Sequence, residues 1–414
     1  MRLKGNLMAQ IFIAFGIAII LGVIFGPSIE VIKPLGDLFL RLIKFIIAPL
    51  ILASLVVGVA STGDPKQLGR IGVKTVSYYL VTSAIAVAIG LAFAYLISPG
   101  KGVNISVPEA AAQVNETDGV IATLLNIIPE NSFTALSSGN ILQIIFFAIF
   151  VGLAITLVGK KAKPVYQFFE GFAEIMYKIT GIVMWFAPIG ILGLVAPVVG
   201  EYGLSVLMPL LKVILTVAIA CFIHVLFVYS MAVKKFAKMS PMKFFKGMAP
   251  ASIVAFSTCS SAGTLPVTIK NTQDNLGVPK KISSFVLPLG ATINMDGTAI
   301  YQGVAVVFIA QFYGLELSLI QLLMVVLTAV LASIGAAGVP GAGVIMLAMV
   351  LSSVNIPLEG IALIAGIDRI LDMFRTTVNI LGDASASVVV AATEDGLWSD
   401  DVNEPQENEL EVSK

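Results

Sequence analysis

Five polar side chains, Asp368, Asp372, Arg375, Asn379 and Asp383, recur three or four residues apart in an otherwise apolar stretch that contains "LDMFRTTVNILGD" (371–383). Wound as a helix they fall within an arc of roughly 80° and make a stripe about 22 Å long. An arginine fork matches a carboxylate through two parallel N–H donors, and an aspartate one turn away accepts from an ammonium group. Arg375 and Asp372 together therefore complement an acidic amino acid. Asp383, and Asp296 within "LGATINMDGTAIYQG" (289–303), each have an asparagine close by, Asn379 and Asn294, and no cation near in sequence. Carboxylate, amide and hydroxyl oxygens suit small hard cations, and no Cys/His cluster offers a transition-metal site. A plainer reading stays open from the stripe alone: Asp372 and Arg375 neutralise each other as a structural ion pair.

The elements that carry these residues are membrane spans. Only 12% of the 414 residues are charged and 57% are hydrophobic, against about 25% charged in an ordinary soluble domain. Apolar runs at 8–25, 37–60, 75–98, 140–158, 179–199, 205–233, 281–312 and 357–396 approach or exceed the roughly 20 residues that a spanning helix needs. The expected class is an all-α polytopic membrane protein with eight spans. The first run reads as a span because no small-x-small cleavage site follows it cleanly. Equal numbers of basic and acidic residues give no reason to expect a nucleic-acid partner. Cys221 and Cys259 lie in apolar or small-residue surroundings, so no disulfide is expected. His224, the lone histidine, lies in an apolar run and reads as packed or lipid-facing rather than as a proton relay.

Basic residues set the orientation. With the N-terminus in the cytoplasm, the clusters at Lys66/Arg70/Lys74, Lys160/Lys161/Lys163, 234–246 and 270–281 all fall inside, and only Lys33 and Lys101 fall outside. The C-terminus is then cytoplasmic too, and its acidic end is expected to be disordered. The outer loop 99–128 holds two Asn-x-Ser/Thr triplets, "NIS" and "NET", short patterns that match by accident more often than by function.

Segments 243–280 and 317–356 are too apolar for loops, yet each is interrupted by small residues, "STCSSAGTLP" (257–266) and "ASIGAAGVPGAG" (332–343). Lys246 and Lys270 bracket the first and belong on one side, so each segment is expected to enter the membrane, turn at its tip and leave by the same face. Two kinked, tilted spans are the alternative. Hairpin plus helix then occurs twice in opposite orientation, 243–312 and 317–396, the inverted repeat of secondary transporters. Backbone N–H groups at the tips would face an anionic ligand. The break at 289–303 must line a cavity or coordinate an ion, because bare backbone costs several kcal/mol in hydrocarbon.

"TCSSAGTLPVT", "LPLGATINMDGTAIYQG", "SIGAAGVPGAG" and "LDMFRTTVNILGD" resemble, in order, the signature segments of the glutamate/aspartate transporter family, the dicarboxylate/amino acid:cation symporters. The resemblance covers nearly the whole chain. It implies eight transmembrane helices plus two re-entrant hairpins, a homotrimer in the plasma membrane, and an elevator mechanism. By that resemblance 1–74 and 129–200 are scaffold, 99–128 is an extracellular loop, 75–98 and 201–396 form the mobile transport domain, and 397–414 is a tail. Arg375 would hold the side-chain carboxylate of aspartate or glutamate, helped by Thr298 and the Gly343 backbone. Asp372, Thr376 and the Val339 carbonyl would hold the amino group. Ser261 and Asn379 would hold the α-carboxylate, with Ser260 beside them at the first tip. One sodium site would use Gly290, Asn294, Asn379 and Asp383. A second would use backbone at Thr292, Ser333, Ile334 and Ala336, with Met295 nearby. A third would use Tyr79, Thr82, Ser83, Asn294 and Asp296.

Departures qualify the resemblance. Gln302 stands where potassium-coupled animal members carry a glutamate, which argues against potassium counter-transport and weakens proton coupling there. Cys259 precedes Ser260 where archaeal members carry an arginine, which puts the electrostatics of the first tip in doubt. Asp372 favours an amino acid over a plain dicarboxylate, and Arg375 disfavours neutral amino acids. The expected function is sodium-coupled uptake of aspartate or glutamate, with proton-coupled amino acid or dicarboxylate symport as the alternative. An anion channel is disfavoured by the carboxylates and by tips that would block a continuous path. A hydrolase built on Ser260 or Ser261 lacks a base in an obvious position, so no enzyme is expected.

Overall fold

The computed structural model describes residues 7–60, 65–101, 125, 127–334 and 342–394, and every element among them is helical. In chain order these are α1 (Leu7–Phe25), α2 (Lys33–Ala60), α3 (Pro65–Ile97), α4 (Ser132–Ser138), α5 (Ile141–Val158), α6 (Lys163–Trp185), α7 (Ala187–Tyr202), α8 (Leu207–Ile223) and α9 (Ser230–Ala237). They continue with α10 (Pro241–Thr258), α11 (Ser261–Asp274), α12 (Lys280–Ile293), α13 (Asp296–Phe312), α14 (Leu319–Ser333), α15 (Ala342–Ser353), α16 (Ile361–Ala365) and α17 (Asp368–Ala392). Residues 335–341 of the second tip, both Asn-x-Ser/Thr triplets and the acidic end lie outside the described residues.

Among the described residues, five helical stretches are long and apolar enough to cross a membrane: Ala9–Leu42, Arg70–Ile97, Gln143–Val183, Leu207–Ala237 and Lys280–Phe312. They take in the apolar runs at 8–25, 75–98, 140–158, 205–233 and 281–312. The other three runs are helical but shorter, divided or polar. The run at 179–199 is divided at Phe186, where Pro188, lacking an N–H, starts α7 instead of continuing α6. The last run is divided at Gly366–Ile367, so that α17 begins at Asp368. Isoleucines 13, 17, 20 and 24 line an exposed face of α1, which a soluble protein would bury.

The helices pack into two groups. α1, α2, α5, α6 and α7 lie against one another, while α3 and α8–α15 gather around α13 and α17. The first group has a seam of close backbone approaches. A Cβ on Gly22 would stand 2.7 Å from Ala196 O, and one on Gly36 would stand 2.5 Å from Leu194 Cδ2. Small residues let apolar helices close up this way where lipid offers no hydrophobic drive. In the second group α13 is buried along nearly its whole length, the position of a central helix.

Two helix pairs flank this core. α10 and α11 pack against each other across a two-residue turn, Cys259 and Ser260. Cys259 takes a left-handed backbone (φ 53°) and Ser260 Oγ accepts from Gly263 N at 3.0 Å, capping α11. α14 opens with a capping box, Ser318 with Gln321, and packs on α15. The break in the central helix is narrower than the sequence suggests. Only Asn294 and Met295 leave the helix, and Asp296, Gly297 and Thr298 already belong to α13. Beyond the end of α17, Glu394 is gripped by Arg70 (2.7 Å) and Lys74 (2.6 Å) from the start of α3.

Candidate functional site

α17 carries the polar stripe, and the stripe faces inward: Asp368, Asp372, Arg375, Asn379 and Asp383 are all buried. Asp368 is the first residue of the helix, where the exposed N–H groups favour a carboxylate. Arg375 Nη1 donates to Asp368 Oδ1 at 2.7 Å. Its Nη2 stands 2.9 Å from Asp372 Oδ1, in ion-pair contact but out of hydrogen-bond alignment. The guanidinium lies over the Tyr301 ring at 4.3 Å, so a cation–π contact covers one face. Gly343 of α15 also lies close: a Cβ there would stand 2.6 Å from Arg375 Nη1.

The plain ion pair is therefore real, but it is incomplete. Arg375 Nε and Nη2 donate to nothing, and Asp372 Oδ2 accepts nothing. Thr376 Oγ1 donates to Asp372 Oδ1 at a long 3.4 Å. Buried polar atoms are ordinarily paired, and each orphan costs about 1–3 kcal/mol. Unsatisfied donors and an unsatisfied acceptor within one turn are the inverse of a zwitterion. Ser261, buried in the first turn of α11, and Thr298, buried in the first turn of α13, belong to the same core. Ser260 is occupied as a helix cap. Val339 lies outside the described residues.

A second polar cluster starts one turn further along α17. Asn379 Oδ1 accepts from Gly297 N at 2.8 Å, and its Nδ2 lies 3.2 Å from Met295 Sδ. Asn294 Nδ2 donates to Asp383 Oδ1 at 2.9 Å and to Asn379 O at 3.1 Å. A Cβ on Gly290 would run into Asp383 Oδ1 and the Tyr79 hydroxyl, so the glycine lets three elements meet. Ser83 donates to Asp296 Oδ1 at 2.6 Å, and Tyr79 to Val286 O at 3.0 Å. Thr82 is buried beside them. These contacts bring together Tyr79, Ser83, Gly290, Asn294, Met295, Asp296, Asn379 and Asp383 from four helices and a helix break. Asn294 Oδ1, shared by two of the expected sodium sets, is buried and accepts nothing.

The remaining expected cation ligands are not joined in this way. Thr292 is exposed and turns its hydroxyl to Leu289 O. Ser333 Oγ donates to Val330 O at 2.6 Å, and Ile334 ends α14. Ala336 is outside the described residues.

Three residues that sequence reasoning did not assign to the site touch it. His224 is fully buried, with Nε2 3.3 Å from Asp296 Oδ2, so it is packed and does not face lipid. Tyr229 donates to the same oxygen at 2.8 Å. Arg369 lies 3.9 Å from Asp372 and donates to Thr258 O at the first tip. That places a cation near the tip where Cys259 had left the electrostatics in doubt. Only the paired charges beside Arg369 had a local signal. His224 and Tyr229 lie 72 and 67 positions from Asp296, in a uniformly apolar run.

Apolar outer helices around a core of partly unsatisfied charges mark an integral membrane protein. A family model described as the sodium:dicarboxylate symporter family matches residues 7–393. The proton/sodium-glutamate symport protein of Geobacillus stearothermophilus is 41% identical over 402 residues, covering 94% of this chain and 95% of that protein. The proton/glutamate-aspartate symporter of Escherichia coli is 38% identical over 412 residues, 95% and 94% of the two chains. The C4-dicarboxylate transport protein of Bacillus subtilis is 35% identical over 401 residues, 95% of each. This chain belongs to the sodium:dicarboxylate symporter family.

Proposed function

We propose that the chain is a sodium-coupled symporter of the acidic amino acids aspartate and glutamate. The observation that carries this reading is the pair of complementary orphans on α17: N–H donors on Arg375 and, on Asp372, an oxygen that accepts no hydrogen bond and has Arg369 only at 3.9 Å. A substrate carboxylate completes the first and an α-ammonium group the second. A C4-dicarboxylate has nothing for Asp372, which favours an amino acid even though a relative is named for C4-dicarboxylates. Thr298 and Gly343 assist the carboxylate, Thr376 and the Val339 carbonyl assist the ammonium, and Ser261 and Asn379 take the α-carboxylate near Ser260.

Asp296 and Asp383 make the case for cations. Their bonded partners are the neutral groups Ser83, Tyr229 and Asn294, with His224 alongside. An ionised carboxylate inside a bilayer is expensive. Sodium, as a co-transported substrate, balances it using oxygens that already converge there, including the orphaned Asn294 Oδ1. The site then crosses the membrane loaded or empty, not half-loaded. Each tenfold gradient supplies about 1.4 kcal/mol per ion, so about three ions support roughly a thousandfold accumulation.

In this reading the chain spans the plasma membrane eight times with both termini cytoplasmic, and α10–α11 and α14–α15 are re-entrant hairpins. The group around α13 and α17 moves as an elevator against the α1–α2–α5–α6–α7 group, which trimerises. The separation of the helices into two packing groups supports the division. Uptake of labelled aspartate and glutamate into proteoliposomes tests the function. An inward sodium gradient is expected to drive it, and equal uptake driven by protons alone would replace sodium with the proton-coupled reading.

A further inference from the structure

Helix α8 does not run straight into α9. Residues His224–Tyr229 form a π turn, and the extra residue decides which side chains share a face. In a regular α-helix, positions five apart point about 140° away from each other. The wider turn, bonded from i to i+5, brings them one above the other. The rings of His224 and Tyr229 accordingly meet edge to face at 4.9 Å.

Both rings address one atom. The Tyr229 hydroxyl donates to Asp296 Oδ2 at 2.8 Å and also lies 3.3 Å from Val378 O. His224 Nε2 stands 3.3 Å from the same Oδ2. The other ring nitrogen, Nδ1, is buried and has no partner. Asp296 Oδ1 points the other way, to the Ser83 hydroxyl of α3. The carboxylate is thus divided: one oxygen is held by the π turn, and the other faces Ser83 and the expected cation ligands on α3.

A turn that served packing alone would be better filled by apolar residues, since burying a histidine with an orphaned nitrogen is costly. We propose that His224 and Tyr229 are positioning residues for Asp296, fixing the carboxylate so that its Oδ1 is presented to a co-transported cation. The inference rests on the sodium-coupled reading above. Partners that orient a liganding group from behind commonly change cation affinity on removal by about 10- to 100-fold.

Binding of labelled aspartate to the purified full-length protein, titrated with sodium chloride, tests it. Tyr229→Phe and His224→Leu are expected to raise the half-saturating sodium concentration about tenfold, with aspartate affinity recovered at saturating sodium. His224→Gln, which keeps an N–H donor, is expected to restore much of the sodium affinity and serves as the mild variant if His224→Leu does not fold. Unshifted sodium dependence in the variants, or aspartate binding weakened equally at every sodium concentration, overturns the inference alone. A wild-type protein that ignores sodium overturns the coupling reading and this inference together.

Discussion

The two groups of helices hold themselves together by different means. In the α1–α2–α5–α6–α7 group the close contacts are steric: Gly22 lies on Ala196 and Val199, and Gly36 on Leu194. The group around α13 and α17 has close glycine contacts too, Gly90 on Ile300 and Gly303 on Val87, and adds polar ones: Asp296, Asp368, Asp372, Arg375 and Asp383 are buried there. A steric seam is complete without a ligand and has no reason to change when solute arrives. A buried polar cluster with orphans on Arg375, Asp372 and Asn294 is incomplete by construction, and its stability depends on what enters it. On the proposed reading, the difference separates residues whose substitution alters recognition from residues whose substitution alters only the frame.

The sharpest way to break that distinction is Arg375→Cys. Truncating one partner of a buried charge pair costs about 2–5 kcal/mol or more, so acidic amino acid affinity is expected to fall about 30-fold or more in equilibrium binding. Unchanged aspartate affinity would remove Arg375 from the site. An intermediate effect is expected from Gly22→Val, whose new side chain meets Ala196 and Val199. Overpacking should lower stability by about 1–3 kcal/mol, visible as a lower melting temperature, while the protein that does fold binds substrate with sodium dependence intact. A changed sodium dependence there would show that the seam is no passive frame.

The smallest effect belongs to Glu394. Hydrogen bonds from Arg70 and then Lys74 hold its carboxyl below the ordinary carboxylate range, so the contact stabilises the fold at neutral pH and is lost as pH falls through the lowered value. Arg70 is largely exposed, which limits the expected gain to about 0.2–1 kcal/mol. Thermal melts of Glu394→Gln and wild type should differ slightly near neutrality and converge in acid. A constant gap across that range would assign the contact to packing.

What the sequence made legible follows from locality. The α17 stripe was readable because one uninterrupted helix carries all five residues, and helical period alone puts them on one face. The helix break at Asn294–Met295 was readable from composition, though the sequence overstated its length, since Gly297 and Thr298 fit a helix start as well as a loop. The π turn was not readable, because "HVLFVY" carries no mark of the extra residue. Of the partners of Asp296, Ser83 on α3 was reached only through the family resemblance, and His224 and Tyr229, at either end of that turn, meet it only in three dimensions. Asp368 as the closest partner of Arg375 was within reach, being two turns away on the same face, but the pairing of Asp372 three residues away drew the reading first.

The two-residue gap between α12 and α13 also has an electrostatic meaning that no side chain supplies. α12 ends at Ile293 and α13 begins at Asp296, so one helix presents its carbonyl end and the other its amide end to the middle of the protein. Each end carries roughly half an elementary charge, negative on α12 and positive on α13. The main chain itself therefore offers a weak seat for a cation beside a weak seat for an anion. Exchanging side chains leaves that built-in field in place; only rejoining the two half-helices would erase it.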